Sequence, residues 1–203
     1  MARHLAYLDL RVAAPDRAGA PDLAIPYAAA ATGGEPIPAW IEAYEQVTVA
    51  VNGVSPPGLA PTFVLQHLLD PLATVLATAA VRTDRRLDAA PEHWSLGLEP
   101  TYRYPVVVQV RADAVHRHDV GTTDEGRVAA AREAYLATAR RIARTHPAPG
   151  RMSSRQRLGM VEDLWEMALA RLAGDPPPDR RSCCLIYALP GCSECAGCPR
   201  ASA

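Results

Sequence analysis

The distribution of cysteine constrains this chain more than any other feature of its sequence. All five cysteines lie in the last 21 of its 203 residues, within the segment RSCCLIYALPGCSECAGCPR. A cysteine that only fills space in a core behaves as a small apolar residue and has no reason to gather with others in a tail containing Gly and Pro. Cys-x-x-Cys spacing lets two thiolates converge on one metal, and Gly191 and Gly197 permit the backbone turns that convergence needs. The tail therefore predicts metal ligands or redox groups.

The residues by themselves leave several kinds of site open. A structural zinc site also takes four cysteines, but usually from two separated Cys-x-x-Cys knuckles, which the adjacent pair Cys183 and Cys184 fits poorly. A dithiol or disulfide couple needs only two of the five cysteines and normally lies at a helix start in a βαβ unit. Oxidised surface cysteines without a function are a further alternative.

The rest of the chain is long enough to bury a core without a metal or disulfides to hold it together. Aromatic residues make up 5% of the sequence and there is one Phe, so the core must consist mainly of Ala, Leu and Val. Four segments have the periodicity and end signals of helices. They are 38–51, 61–81, 123–146 and 154–172. The second is apolar on nearly every side, and Pro71 inside it predicts a kink or a split.

Strand signals are fewer and lie mostly in the middle of the chain. Residues 94–98 and 102–110 are β-branched or bounded by turn residues and predict a hairpin, while 5–12 alternate as a short half-buried strand does. Residues 13–38 have the composition of an irregular connection. We predict an α+β fold, mainly helical, with a small central antiparallel sheet and a C-terminal cysteine-bearing loop segment. Three prolines at 176–178 form a spacer between a unit at 1–175 and a second at 179–203.

Charge and the N-terminal sequence exclude some classes of function. The chain has 21 basic residues, all Arg, against 22 acidic ones, so it lacks the positive field that draws proteins to nucleic acid or anionic lipid. Asp9 and Arg11 interrupt the apolar run that a signal peptide needs, and no later run approaches the length of a membrane span. We expect a cytoplasmic protein, in a compartment where disulfides do not persist.

The cysteine spacing resembles a known signature. Cys183 and Cys184 are followed by ten residues, and Cys195 and Cys198 then form a Cys-x-x-Cys. This pattern resembles the C-terminus of the FhuF-type ferric siderophore reductases, which bind a [2Fe–2S] cluster through such an adjacent pair. Neighbouring residues agree with it: Arg181, Leu185, Tyr187, Pro190, Gly191 and Pro199. The resemblance implies that Cys183, Cys184, Cys195 and Cys198 ligate a [2Fe–2S] cluster.

The resemblance is strong over about the last 50 residues of the chain. It includes the preceding helix, with Gly159, Asp163 and Trp165. The fifth cysteine departs from the pattern, because Cys192-x-x-Cys195-x-x-Cys198 followed by Pro also resembles part of a bacterial ferredoxin run. A [4Fe–4S] cluster that includes Cys192 is therefore an alternative cofactor, beside zinc.

The function that the resemblance implies is one-electron reduction of the ferric iron in a siderophore, with release of ferrous iron in the cytoplasm. Nothing in the chain resembles a phosphate-binding glycine loop, so the electron is expected from a ferredoxin, a flavin system or another reductase. A redox protein acting in a biosynthetic pathway and a zinc-stabilised binding module are the alternatives. No catalytic residue is assigned.

Two further groups of residues are candidate ligand sites. Arg180, Arg181 and Arg200 flank the cysteines and suit an anionic, oxygen-rich complex or tuning of the cluster, although solvated charges at a terminus explain them equally well. His116 and His118 lack a third ligand at a diagnostic spacing, so a surface turn is the preferred interpretation of VHRHD.

We expect Cys192→Ser to retain the cluster, and Cys→Ser at each of the other four positions to lose or alter it, because only those four match the ligand signature. Iron and acid-labile sulfide contents, with EPR of the reduced protein, measure this for the five single variants. A colourless Cys192→Ser protein would contradict the ligand assignment.

Overall fold

The computed structural model describes residues 8–13, 24–148, 151–195 and 197–201. Its helices are α1 (Tyr27–Ala30), α2 (Ile37–Asn52), α3 (Leu59–Arg82), α4 (Asp124–Thr145) and α5 (Ser154–Ala173). Its strands are β1 (Asp9–Ala13), β2 (Ala24–Pro26), β3 (Arg85–Leu87), β4 (Trp94–Leu98), β5 (Pro105–Arg111) and β6 (Val115–Arg117). This order confirms the predicted α+β, mainly helical fold class.

Helix α3 forms the centre of the core. It packs against α2, α4 and α5 and contacts β3 and β5, so nearly all of its residues from Leu59 to Ala80 are buried. Pro71 lies inside α3 without splitting it, since packing on several sides supports the helix on both sides of the missing backbone donor. Among the described residues, α3 is the one helix long and apolar enough to cross a membrane, so the expectation that no run approaches that length was wrong. However, 78% of its apolar window is buried inside the protein, as in the core helix of a soluble protein.

The main sheet has four strands in the order β1-β5-β4-β2, and β3 pairs with β6 in a separate two-stranded ribbon. The predicted hairpin is present, with Leu96 of β4 opposite Val108 of β5. The sheet is mixed rather than antiparallel as predicted, because β1 runs parallel to β5 in the register Leu10 to Val108. Strand β2 and helix α1 also lie in the segment 13–38 that was predicted to be irregular.

Helices α4 and α5 begin and end close to their predicted limits because their end signals act as expected. Thr123 Oγ1 accepts a hydrogen bond from the Gly126 N–H at 3.1 Å, and Ser153 Oγ accepts one from the Gln156 N–H at 3.1 Å. Gly174 ends α5 in a left-handed conformation, with φ of 81°.

The two helices are joined by aromatic packing in the core. The rings of Tyr135 on α4 and Trp165 on α5 stack with centroids 5.4 Å apart, and the Tyr135 hydroxyl donates to the Val161 carbonyl at 2.9 Å. Pro176–Pro178, beyond α5, have no regular secondary structure. The division into units 1–175 and 179–203 stays a prediction.

His146 follows α4 and is buried, with 2% of its surface exposed. Its Nε2 lies 2.8 Å from the Pro61 carbonyl oxygen, so this nitrogen carries the proton and donates it. Nδ1 is buried and has no partner among the described residues. A second proton would therefore create a buried, uncompensated charge, and burial lowers the pKa of His146 to about 4.

We expect the free energy of unfolding to fall on acidification, because His146 stays neutral in the folded protein and binds a proton in the unfolded chain at its ordinary pKa. The loss begins as the pH drops through the unfolded value and continues until the folded value is reached. For a folded pKa of about 4, His146 should contribute about 1 kcal/mol of this loss between about pH 7 and about pH 5.5.

Urea unfolding of the wild type and of His146→Gln at both pH values measures this contribution. The variant keeps an amide donor for the Pro61 carbonyl but does not titrate. Some pH dependence should remain in the variant, since burial also lowers the pKa of His67 to about 4. Equal pH dependence in the two proteins would contradict the role given to His146.

Candidate metal centre

The segment that carries the cysteines is attached to α5 through a buried carboxylate. Asp163 is 1% exposed and accepts hydrogen bonds from the Arg181 N–H at 2.9 Å and the Ser182 N–H at 2.8 Å. The Ser182 hydroxyl donates to the same carboxylate at 2.5 Å. A buried carboxylate needs such donors, and these come from the two residues immediately before Cys183. The first pair of cysteines is therefore fixed relative to the core.

A second set of contacts holds the cysteine pair against the starts of α3 and α5. Gln156 Nε2 donates to the Cys183 carbonyl at 2.9 Å. Leu185, directly after the pair, adopts a left-handed conformation with φ of 65°, and its N–H lies 3.4 Å from Cys183 Sγ. A Cβ on Gly58 would lie 3.4 Å from the Leu185 side chain, which shows how closely the turn approaches α3. The chain thus reverses direction beside the sulfurs.

The structure brings two of the four predicted ligands into contact, and the assignment of all four stays a prediction. Cys184 Sγ and Cys195 Sγ lie 3.7 Å apart, close to the separation of about 3.8 Å expected for two sulfurs on one tetrahedral metal with bonds of about 2.3 Å. Cys183 interacts electrostatically with Cys184 and Cys198, and Cys195 does so with Cys184 and Cys198. Cys184 and Cys198 are buried. Among the described residues, no three or more His, Cys, Asp or Glu side chains lie in positions to hold one metal ion together.

The fifth cysteine lies apart from this set. Cys192 is exposed, and in the described part of the chain no sulfur contact involves it. Its N–H donates to the Leu189 carbonyl at 3.1 Å, within the turn that contains Gly191 with φ of 76°. This placement agrees with the sequence pattern, in which Cys192 is the additional thiol.

Glycine is required at a second position in the loop. Gly197, between Cys195 and Cys198, has φ of 69°, and a Cβ there would lie 2.4 Å from the Pro178 carbonyl oxygen. Its own carbonyl accepts a hydrogen bond from the Arg180 N–H at 2.8 Å. The turn at Gly197 therefore lies directly against Pro178 and Arg180, which precede Cys183 and Cys184, and this contact closes the cysteine segment into a loop.

Burial dominates the electrostatics of the thiols. It raises the pKa of Cys195 to about 11 and also raises the pKa of Cys183, and the neighbouring thiols act in the same direction. Arg180 opposes this effect at Cys195: its side chain is 5% exposed and its guanidinium lies 3.8 Å from Cys195 Sγ. Cys184 and Cys198 are thus shielded from water, whereas Cys183 and Cys195 are partly exposed to it.

The other residues singled out from the sequence have distinct positions. Arg181 forms ion pairs with Glu166 at 2.9 Å and with Asp163 at 3.4 Å. The Arg200 guanidinium lies over the Tyr187 ring, 4.3 Å from its centroid. Arg180 faces the sulfurs, so of the three only Arg181 and Arg200 are accessible to a ligand.

The first three residues of VHRHD form strand β6 rather than the predicted turn, while His118 and Asp119 follow it without regular secondary structure. His116 belongs to β6 and is paired with Arg86 of β3, and both His116 and His118 line a groove of about 510 Å³ bordered by α3 and α4.

Two features of the site were not predicted. The sequence-based prediction includes Asp163 only as one residue of the helix that resembles the family. Its burial could have been inferred from its place among the apolar residues of α5, between Val161 and Leu164. Leu158 is an apolar residue of α5, yet it is 36% exposed in a surface groove.

The cysteine segment matches a family model. Residues 180–200 match the model described as the FhuF 2Fe-2S C-terminal domain. No curated protein sequence matches the chain. The C-terminal segment therefore belongs to this family of 2Fe-2S-binding domains, and the resemblance seen in the cysteine spacing is confirmed.

We expect Asp163→Asn to destabilise the protein by about 2 to 4 kcal/mol and to lower its cluster content. The N–H groups of Arg181 and Ser182 donate to different carboxylate oxygens, and the amide keeps one acceptor oxygen, so one backbone donor would be left unpaired. Glu162→Gln is the matched control. It lies next to Asp163 but forms exposed ion pairs with Arg132 at 2.6 Å and Arg140 at 2.8 Å, which contribute about 1 kcal/mol or less.

Urea unfolding and the iron-to-protein ratio of anaerobically purified material measure both effects. Equal cluster content in the two variants would show that the Asp163 carboxylate does not hold the cysteine segment in place.

Proposed function

We propose that this chain, whose residues 180–200 form a FhuF-type 2Fe-2S C-terminal domain, reduces the ferric iron of a siderophore by one electron and so releases ferrous iron in the cytoplasm. The family match supports an iron–sulfur redox role, and the activity of the family supplies the reaction. The observation that carries the proposal is the approach of Cys184 Sγ to Cys195 Sγ, 3.7 Å apart, in a loop fixed to the core by Asp163.

The residues present fit a cluster of the matched type. Cys183, Cys184, Cys195 and Cys198 would hold it, and the 3.7 Å between Cys184 Sγ and Cys195 Sγ suits two ligands of one metal. A [2Fe–2S] cluster, when bound, supplies one electron at a time, which is the number needed to convert ferric iron into the more weakly held ferrous ion.

The residues around the sulfurs have separate tasks in this proposal. Asp163 positions the first cysteine pair through backbone N–H groups, and Gly197 lets the second pair close against the spacer. Arg180 places a positive charge 3.8 Å from Cys195 Sγ, which favours the more negative, reduced state of the site. Its burial keeps that charge from being screened by water.

The electron must come from outside the chain. We propose a ferredoxin, a flavin system or another reductase as the donor, which is oxidised as the siderophore iron is reduced. The intermediate exposure of Cys183 and Cys195 supports electron entry and exit at the surface of the loop. Neither nucleic acid nor a membrane has a place in this scheme.

We expect anaerobically purified protein to contain iron and acid-labile sulfide in equal amounts. After reduction by dithionite and removal of the excess, the protein should be reoxidised by a ferric siderophore, with one ferrous ion formed per reduced cluster. Stopped-flow absorbance follows the cluster, and a ferrous-specific chelator counts the product. Apo-protein, prepared by removing iron and sulfide, is the control.

Protein without acid-labile sulfide would remove the basis of the proposal. Protein that holds its cluster but reduces none of several siderophores would redirect the function towards an organic substrate.

A further inference from the structure

A groove of about 540 Å³ lies between the second half of α4 and the first half of α5. We call it the arginine groove. Its lining residues are Arg140, Arg144, Arg155, Leu158, Gly159, Glu162 and Arg181. The volume is that of a site for a small organic molecule or metal chelate, for which cavities of about 300 to 1,000 Å³ are usual.

The groove concentrates positive charge in a chain that is almost neutral as a whole. Four arginines and one glutamate line it, whereas the formal charge of the chain is −1. Glu162 is already paired with Arg140 at 2.8 Å. In the described part of the chain, Arg144 and Arg155 are exposed and have neither a hydrogen-bond acceptor nor an ion-pair partner for their side chains. Two guanidinium groups are thus available to an anion.

The groove adjoins the cysteine segment along a single helix. Gln156 and Asp163 of α5 hold Cys183 and the residues before it, while Arg155, Leu158 and Glu162 lie at helical spacing on the neighbouring side. Gly159 belongs to both surfaces. It lines the groove, and a Cβ added there would lie 3.3 Å from Arg181 Cβ.

Arg181 connects the two sites directly. It lines the groove and lies two residues before Cys183, and its guanidinium is held by Glu166 at 2.9 Å. A ligand in the groove would therefore lie beside the segment that carries the cluster ligands.

We propose that the arginine groove binds the ferric siderophore and selects complexes with net negative charge, such as catecholate or carboxylate chelates, over neutral hydroxamate complexes. This inference rests on the proposed function. The oxygen-rich, anionic surface of such a chelate matches the planar guanidinium forks of Arg144 and Arg155, and Leu158 offers an apolar contact to its organic part. The concave shape and the volume favour a small chelate over the surface of an electron-donor protein.

The test uses gallium complexes, which have the shape and charge of the ferric complexes but cannot be reduced. Binding of a trianionic gallium tris-catecholate and of a neutral gallium tris-hydroxamate to the oxidised, cluster-loaded protein is measured by isothermal titration calorimetry. The variant is Arg144→Gln combined with Arg155→Gln. The matched control is Arg86→Gln combined with Arg117→Gln, which removes the same charge from the exposed β3–β6 ribbon.

We expect the affinity of the groove variant for the anionic complex to be at least about tenfold lower than that of the wild type. Its affinity for the neutral complex, and the affinity of the control variant for either complex, should change by about twofold or less. The wild-type affinity for the anionic complex should fall with added salt. Iron and sulfide contents equal to those of the wild type show that both variants are folded and loaded.

Anionic binding that is the same in the wild type and the groove variant, or equally weakened in the control, would overturn the inference. It would also be overturned if gallium binding stayed unchanged while reduction by an acidic donor protein slowed, since the groove would then serve the donor. A protein that binds the gallium complex through the groove but does not reduce its ferric counterpart would count against the proposed function and not against the groove.

Discussion

The site depends on one buried interaction: the Asp163 carboxylate accepts hydrogen bonds from the backbone N–H groups of Arg181 and Ser182, directly before Cys183. A carboxylate that is 1% exposed is costly to bury unless donors surround it, and here the donors are backbone and side-chain groups of Arg181 and Ser182. The buried carboxylate and the donors that compensate for its burial therefore both lie next to the first cysteine pair. Because α5 is packed in the core through Trp165 and its neighbours, the rigidity of the core extends to the first two sulfurs.

Two turns position the rest of the loop relative to the segment that Asp163 holds in place. Leu185 reverses the chain after the pair, and Gly197 brings the final turn onto Pro178, so the second pair of sulfurs returns to the first. Arg180 lies beside the second pair, with its guanidinium 3.8 Å from Cys195 Sγ. A segment that is nearly without regular secondary structure thereby obtains a defined geometry from a few buried polar contacts, without a fold of its own.

Local signals predicted the parts of the fold that depend on neighbours in sequence. Helices α4 and α5 were placed to within about two residues because a capping hydroxyl and a terminal Gly or Pro mark their ends. The parallel pairing of β1 with β5 was missed, since it joins segments almost 100 residues apart and leaves no trace in either segment alone. The four cysteines were assigned as ligands because their spacing resembles a family signature, and this assignment stays a prediction. The groove could not be predicted, because it joins Arg140 and Arg144 of α4 to Arg155 of α5 and exists only after the helices pack.

Because Gly159 has no side chain, α5 and the chain at Arg181 can lie close together. A methyl group there would meet both Arg181 Cβ at 3.3 Å and the Arg181 carbonyl carbon at 3.5 Å, and would push the cysteine segment outward from α5. Gly159 therefore lets the chain before Cys183 lie in van der Waals contact with α5, on the side of the helix that adjoins the arginine groove. A residue with a side chain at this position would require the two segments to separate by a few tenths of an ångström.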